Sequence, residues 1–350
     1  MPRSLTRILK SVFFRLGVYD LIRRAFPSPY PAILRFHSVS GPDRIAYASA
    51  GISLPPEAFE RMIRYLSRRY RIAGMDQVEE YLQSGKALPP DTLVLTFDDG
   101  YRDNLPAART LARHGWHATF YLTVGCLSGA APLWLAEVRR HLLLTARDPV
   151  RLEWGGETRR HSLGTPRERE LAIAAVTRWI KSLTVAERER FLGVLAREAP
   201  IEPDRPAADE VMLSWDDVRA MAYDGMSFGG HTDTHCNLVH ATEDEARQEL
   251  ARCWQVLERE LGRAPRHFAY PNGGADGYYD ERAKTLVRAA GFVTAVTSRS
   301  GRVQPESDPM ALPRTGVTPS LADLVHELEW GKLGPARGPA LGSARSARDV

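Results

Sequence analysis

The chain reads as an α/β protein, an irregular barrel of the (β/α)7 type that carries a helical insertion. Three observations predict this. Seven short β-rich runs alternate with amphipathic segments along the chain, and such alternation implies parallel strands joined by helical crossovers. The polar clusters fall at the ends of those runs, and the C-terminal strand ends of a parallel barrel share one face. The length of 350 residues suits one barrel of roughly 200–250 residues plus an excursion.

The runs predict strands at Ala32–Val39, Thr92–Phe97, His117–Val124, Met226–Gly230, His267–Tyr270, Phe292–Thr297 and Ala311–Arg314. Helical periodicity covers Pro56–Tyr70 and Asp103–His114. A third helix, Glu243–Leu261, opens on a capping box of Thr242 and Glu245 and closes at Gly262,. A fourth, Asp280–Ala290, ends at Gly291,. The stretch from Pro132 to Asp209 breaks the rhythm. It is charge-rich, mostly helical in pattern, and interrupted by Gly155-Gly156 and by Pro200, Pro203 and Pro206. We read it as an insertion within a barrel spanning 29–330, its start at Pro132-Leu133-Trp134-Leu135 lying close to the catalytic face. The tail, 331–350, is rich in Gly, Pro, Ala, Ser and Arg and is expected to be disordered,.

Residues 1–28 form a basic amphipathic segment. Leu5, Ile8, Leu9, Val12, Phe13 and Leu16 recur at helical spacing, with Arg3, Arg7, Lys10 and Arg15 on the polar side. Two readings fit: a helix lying in a membrane interface, or a helix docked on the barrel's own surface. Arg7, Lys10 and Arg15 break any signal-peptide core,, and no apolar stretch approaches the roughly 20 residues of a membrane span. The expected location is therefore cytoplasmic, or peripheral at the inner face of the cytoplasmic membrane. The net charge is only +4 and both signs are mixed through the interior, which leaves no nucleic-acid footprint. Cys126, Cys236 and Cys253 form no CxxC pair, which argues against a disulfide-stapled fold. Cys236 follows His235 but reads as a small buried thiol.

Two clusters carry chemistry. Thr96-Phe97-Asp98-Asp99-Gly100 places two carboxylates where a strand ends, and Gly100 permits the sharp turn that lets both face a pocket,. Two like charges this close raise one pKa unless a cation intervenes. His231-Thr232-Asp233-Thr234-His235 places two imidazoles on one side of a single turn,. One carboxylate plus two imidazoles gives three ligands and an open position, the pattern of a catalytic metal site.

These residues resemble the polysaccharide deacetylase group (NodB homology, carbohydrate esterase family 4). Thr96–Gly100 is similar to its first motif, and His231–His235 fits its second, H-[ST]-x-x-H, in full. The resemblance runs from about Ala32 to Val317 around the insertion. It implies Asp99, His231 and His235 as ligands of a divalent metal, zinc first, with cobalt or nickel as alternatives. It implies Asp98 as the general base that deprotonates an attacking water. The substrate would be an acetylated glycan, losing N-acetyl groups from an amino-sugar polysaccharide or lipid-linked oligosaccharide. An O-acetyl esterase and a catalytically weak carbohydrate-binding relative are the alternatives.

The sequence departs from the family pattern twice. The third motif usually reads like R-P-P-Y-G, whereas this chain has Ala269-Tyr270-Pro271-Asn272-Gly273. Tyr270, Pro271 and Asn272 would line the substrate, with the backbone N–H of Asn272 as oxyanion donor. The missing arginine must come from elsewhere, from Arg314 first and Arg266 second. The last motif, Leu-x-His, is replaced by Leu312-Pro313-Arg314. His37, at the end of the first strand, is similar to an acid delivered from the N-terminal side in relatives acting on biofilm poly-N-acetylglucosamine. We therefore assign His37 as the general acid.

Overall fold

A computed structural model describes residues 3–41, 47–201, 211–273 and 277–333. Two helices, α1 (Arg3–Arg15) and α2 (Val18–Ala25), precede β1 (Ala32–Phe36). Then follow α3 (Pro56–Ser67), β2 (Arg71–Ala73), α4 (Met75–Ser84), β3 (Thr92–Phe97), α5 (Asn104–Arg113) and β4 (Thr119–Leu122). The next stretch holds α6 (Trp134–Leu144), β5 (Val150–Trp154), β6 (Glu157–His161), α7 (Pro166–Lys181), α8 (Val185–Glu198) and α9 (Trp215–Tyr223). The last part runs β7 (Ser227–Gly230), α10 (Glu243–Leu261), β8 (His267–Ala269), α11 (Glu281–Ala289), β9 (Thr294–Val296), β10 (Thr315–Gly316) and α12 (Leu321–Trp330).

The strands form one curled parallel sheet in the order β10-β1-β3-β4-β7-β8-β9. This is the α/β barrel architecture the sequence predicts. β2 and α4 went unread because β2 is only three residues long. It pairs with the first half of β3, Arg71–Ala73 against Thr92–Val94, leaving Thr96 and Phe97 to β4. The last strand needs a correction. The expected Ala311–Arg314 gives a single bridge from Leu312 to Val296, and the paired strand falls on Thr315–Gly316 against Leu34 and Arg35. Pro313 is the reason: it has no N–H to give to a ladder. The segment 312–316 thus bonds β9 first and β1 second, and draws the two ends of the curl together.

Alternation along the strands sorts the side chains. Phe36, Phe97 and Phe120 stack at 4.9 and 4.6 Å beneath the outer helices. Ile33, Val94, Tyr121, Ala269, Val296 and Leu312 fill the interior. Val94 is therefore followed on the inner face by Thr96 and Asp98, which carries the first carboxylate to the open end of the barrel.

The segment between β4 and β7 has an apolar core of its own, built by Trp134, Val138, Leu142, Val150, Leu152, Val176, Phe191 and others. It is mostly helical, as its pattern predicts, with one hairpin the sequence reading did not anticipate. β5 and β6 form an antiparallel hairpin across Gly155-Gly156, both with positive φ, as a tight two-residue turn requires. α1 and α2 dock on α12: Phe13 stacks on Trp330, the buried Tyr19 meets His326 Nδ1 at 2.9 Å, and Lys10 pairs with Asp323. No helix among the described residues is long and apolar enough to cross a membrane. Of the expected tail, Gly331–Leu333 continue α12 as a 3-10 turn, and 334–350 lies outside the described residues.

Candidate active site

At the end of β3, Asp99 takes a left-handed conformation with φ 74° and Gly100 follows at φ 88°. The turn parts the two neighbouring carboxylates, both of them buried. Asp98 faces Arg314, whose Nη1 and Nη2 donate to its two oxygens at 2.6 and 2.7 Å. The guanidinium also donates to the Thr297 carbonyl and to Thr96 Oγ1, so it is fixed in its plane. Burial alone would raise the pKa of Asp98. Arg314 outweighs burial and holds the carboxyl at about 2.

Asp99 faces the second motif. Its Oδ1 lies 3.3 Å from His231 Nε2 and 3.2 Å from His235 Nε2. His231 Nδ1 sits 2.7 Å from the Ala269 carbonyl, which can only accept, so Nδ1 carries a proton and Nε2 is the nitrogen turned toward Asp99. His235 is pushed toward its neutral form by burial. The Asp99 carboxylate and the two imidazole nitrogens lie close enough together to share one cation. The donor set therefore fits a divalent metal: one hard oxygen and two imidazole nitrogens, with the Ala269 carbonyl orienting one ring,.

The glycines before this motif are a packing requirement. A Cβ on Gly230 would come within 2.7 Å of the Phe292 ring and 2.9 Å of Cys253 Sγ. Thr232 and His235 both have positive φ, 64° and 59°, so the turn is strained and must be held from outside.

His37 lies beside this centre, its Nε2 3.9 Å from Asp98 Oδ2. Burial lowers its pKa to about 4, so the resting ring is neutral at pH 7. The loop that carries it is pinned by residues the sequence reading missed. Asp103 accepts from Val39 N and Ser38 Oγ, and Asn104 Nδ2 donates to the His37 carbonyl. They follow Asp98-Asp99-Gly100 by only a few residues, and that proximity was the available signal. Glu249 was also missed: it accepts from the backbone N–H of Asp233 and of Thr234 at 2.9 and 2.8 Å, and from the Thr234 hydroxyl.

The third motif is placed differently from expectation in one respect. Tyr270 turns its side chain into the core, where its hydroxyl donates to the Met310 carbonyl and its ring stacks on Tyr279. Only its backbone is left to serve the site, because strand alternation puts its ring on the outer face. Pro271 is buried, and Asn272 bends the chain at φ 72°. Gly273 packs against Ser298: a Cβ there would lie 2.8 Å from Ser298 Oγ. Arg266 is excluded as the orienting arginine. It pairs with Glu79 in a cavity of about 360 Å³ at the opposite end of the strands. That cavity also gathers Asp76 and His267, but the guanidinium already neutralises Glu79.

The sequence model of the family described as "Polysaccharide deacetylase" matches residues 85–140 and 173–295, just over half of the chain. The chain belongs to the polysaccharide deacetylase family. It is a hydrolase that deacetylates a glycan. The match breaks at 141–172, which contains the β5–β6 hairpin. Solved structures share the deacetylase fold. The Streptococcus pyogenes deacetylase PplD is 17% identical with a TM-score of 0.56, over 86% of this chain and 98% of that one. IcaB from Ammonifex degensii is 18% identical with a TM-score of 0.54, over 87% and 97%. The BpsB deacetylase domain from Bordetella bronchiseptica is 15% identical with a TM-score of 0.51, over 83% and 96%. The comparison with curated proteins gave no match.

Proposed function

We propose that this deacetylase removes N-acetyl groups from an amino-sugar polysaccharide or lipid-linked oligosaccharide, with a divalent metal, zinc first, held by Asp99, His231 and His235. The observation that carries this reading is the division of the two adjacent carboxylates. One is locked to a guanidinium and the other is turned to two imidazole nitrogens. A bound divalent ion supplies a Lewis acid, which polarises an acetyl carbonyl and acidifies a water.

The protein's own groups do the rest. Asp98, held by Arg314, accepts the proton of the water that attacks the acetyl carbon. The backbone N–H of Asn272 donates to the oxygen on which negative charge develops. His37 then protonates the leaving nitrogen as the C–N bond breaks, giving acetate and a sugar amine. Since His37 is neutral at rest, its proton arrives during turnover, and Asp98 at 3.9 Å is the adjacent source. A carboxyl of pKa about 2 passes a proton on readily, which suits this relay.

Acetate release from N-acetylated and O-acetylated oligosaccharides, measured side by side with and without added zinc, tests the assignment. The expected result is metal-dependent release from the N-acetylated series. Release from the esters alone would make the enzyme an O-acetyl esterase.

We also propose that the enzyme is cytoplasmic or peripheral at the inner face of the cytoplasmic membrane, and favour a lipid-surface contact through its N-terminal helices. The support is the outer face of α1 and α2, where Leu5, Ile8, Leu9, Val12, Leu16 and Leu21 stand exposed beside the exposed Arg7, Arg15 and Arg24. Contiguous exposed apolar area beside cationic side chains suits an anionic lipid surface.

A further inference from the structure

The turn Thr232–His235 has its backbone groups divided between two parts of the protein. Its four carbonyls split evenly. Those of Thr232 and Asp233 accept from Val124 N and Gly125 N, in the 3-10 turn that follows β4. Those of Thr234 and His235 accept from the segment with its own core: Arg188 Nη1 of α8 donates to the Thr234 carbonyl at 3.2 Å, and Trp134 Nε1 of α6 to the His235 carbonyl at 3.0 Å. Arg188 Nη2 also donates to Thr234 Oγ1 at 2.6 Å, the hydroxyl that contacts Glu249. The Trp134 indole stands edge-on to the His235 ring, with centroids 6.1 Å apart.

We propose that α6–α8 form a clamp on this turn, and that Arg188 and Trp134 are positioning residues that set the two imidazole nitrogens for the metal. The proposal rests on the metal reading given above. Its physical basis is the strain at Thr232 and His235. Two non-glycine residues at positive φ persist only where surrounding bonds over-determine them, and among the described residues the donors to the last two carbonyls are Arg188 and Trp134. Arg188 does more than fill one of them. Arg188 is 3% exposed and Glu249 5%; the guanidinium, already paired with Glu189 at 3.0 Å, also donates to the Thr234 hydroxyl that donates to Glu249, so it holds both the carbonyl and the side chain of Thr234. Trp134 and Phe191 share the second core, and Arg188 lies on the same helix as Phe191. The two donors are therefore set by one packed unit.

The test is zinc affinity of the full chain, by competition with a chromophoric chelator, together with the visible absorption of the cobalt-loaded protein. These are measured for the wild type, Arg188→Ala, Arg188→Lys and Trp134→Phe. Loss of an outer partner of a ligand weakens metal binding by roughly 10- to 100-fold. The expected result is a loss of that size for Arg188→Ala and Trp134→Phe, with an altered cobalt band. Arg188→Lys should be intermediate, since an ammonium keeps the charge but not the two-pronged contact. If Arg188→Ala does not fold, the other two variants decide. Tight wild-type binding with unchanged affinity in the folded variants overturns the clamp alone. A wild type that takes up no divalent ion overturns the metal reading and the clamp with it.

Discussion

Asp98 and Asp99 are chemically the same and adjacent in sequence, yet their surroundings give them opposite work. Gly100 and the left-handed Asp99 turn one carboxylate toward Arg314 and the other toward His231 and His235. As the proposed base, Asp98 is weak but well aimed under the hold of Arg314, and this predicts a pH effect with a definite sign. In Arg314→Lys the two-pronged contact becomes a single one. Less then opposes the effect of burial, so the pKa of Asp98 rises from about 2. The acid limb of kcat/KM should move to higher pH while the rate on the plateau falls. A limb that stays in place in that variant would show that Asp98 is not the titrating base. Gly125 gives a second prediction at this scale. A Cβ there would come within 2.6 Å of Asp233 Oδ1 and 2.8 Å of its carbonyl, so Gly125→Ala should displace the imidazole turn. Metal affinity should fall by about 10-fold or more, checked by the same chelator competition.

At the scale of elements, the sequence was legible where a pattern is local and long. β3 at Thr92–Phe97 and α10 at Glu243–Leu261 keep the bounds their periodicity and caps predict. Arg314 was named because the third motif lacks its arginine, and the structure sets its guanidinium against Asp98. Elements set by distant contacts escaped. β2 exists only because half an edge of β3 is open to it. The β5–β6 hairpin was hidden because a Gly-Gly turn between charged runs reads equally well as a break between helices. Tyr270 was misplaced because a motif names a residue but strand alternation decides which face its ring takes. Arg188 and Glu249 were invisible for a related reason. Each acts on the main chain of another segment, and main-chain partners leave no trace in residue types.

At the scale of the whole molecule, two faces carry the account. One is the outer surface of α1 and α2. Their inner side is committed to α12 through Phe13, Tyr19 and Lys10, which leaves Ile8 58% and Leu16 73% exposed. Sedimentation with anionic vesicles should carry the protein down, and Ile8→Glu with Leu16→Glu should weaken that by at least ~10-fold, since each side chain forfeits its apolar burial. Unchanged sedimentation would remove the lipid surface from the account. The other face is the open end of the barrel, where β1, β3, β7 and the segment before β10 bring His37, Asp98, Asp99, His231, His235 and Arg314 together. The most direct test of that convergence compares Asp98→Asn with Asp99→Asn, measuring metal content and acetate release on the same preparations. Asp98→Asn should keep its metal and lose about 10²–10⁴ in rate, whereas Asp99→Asn should lose the metal itself. Full activity in Asp98→Asn, or metal retained equally by both variants, would contradict the division of labour between the two carboxylates.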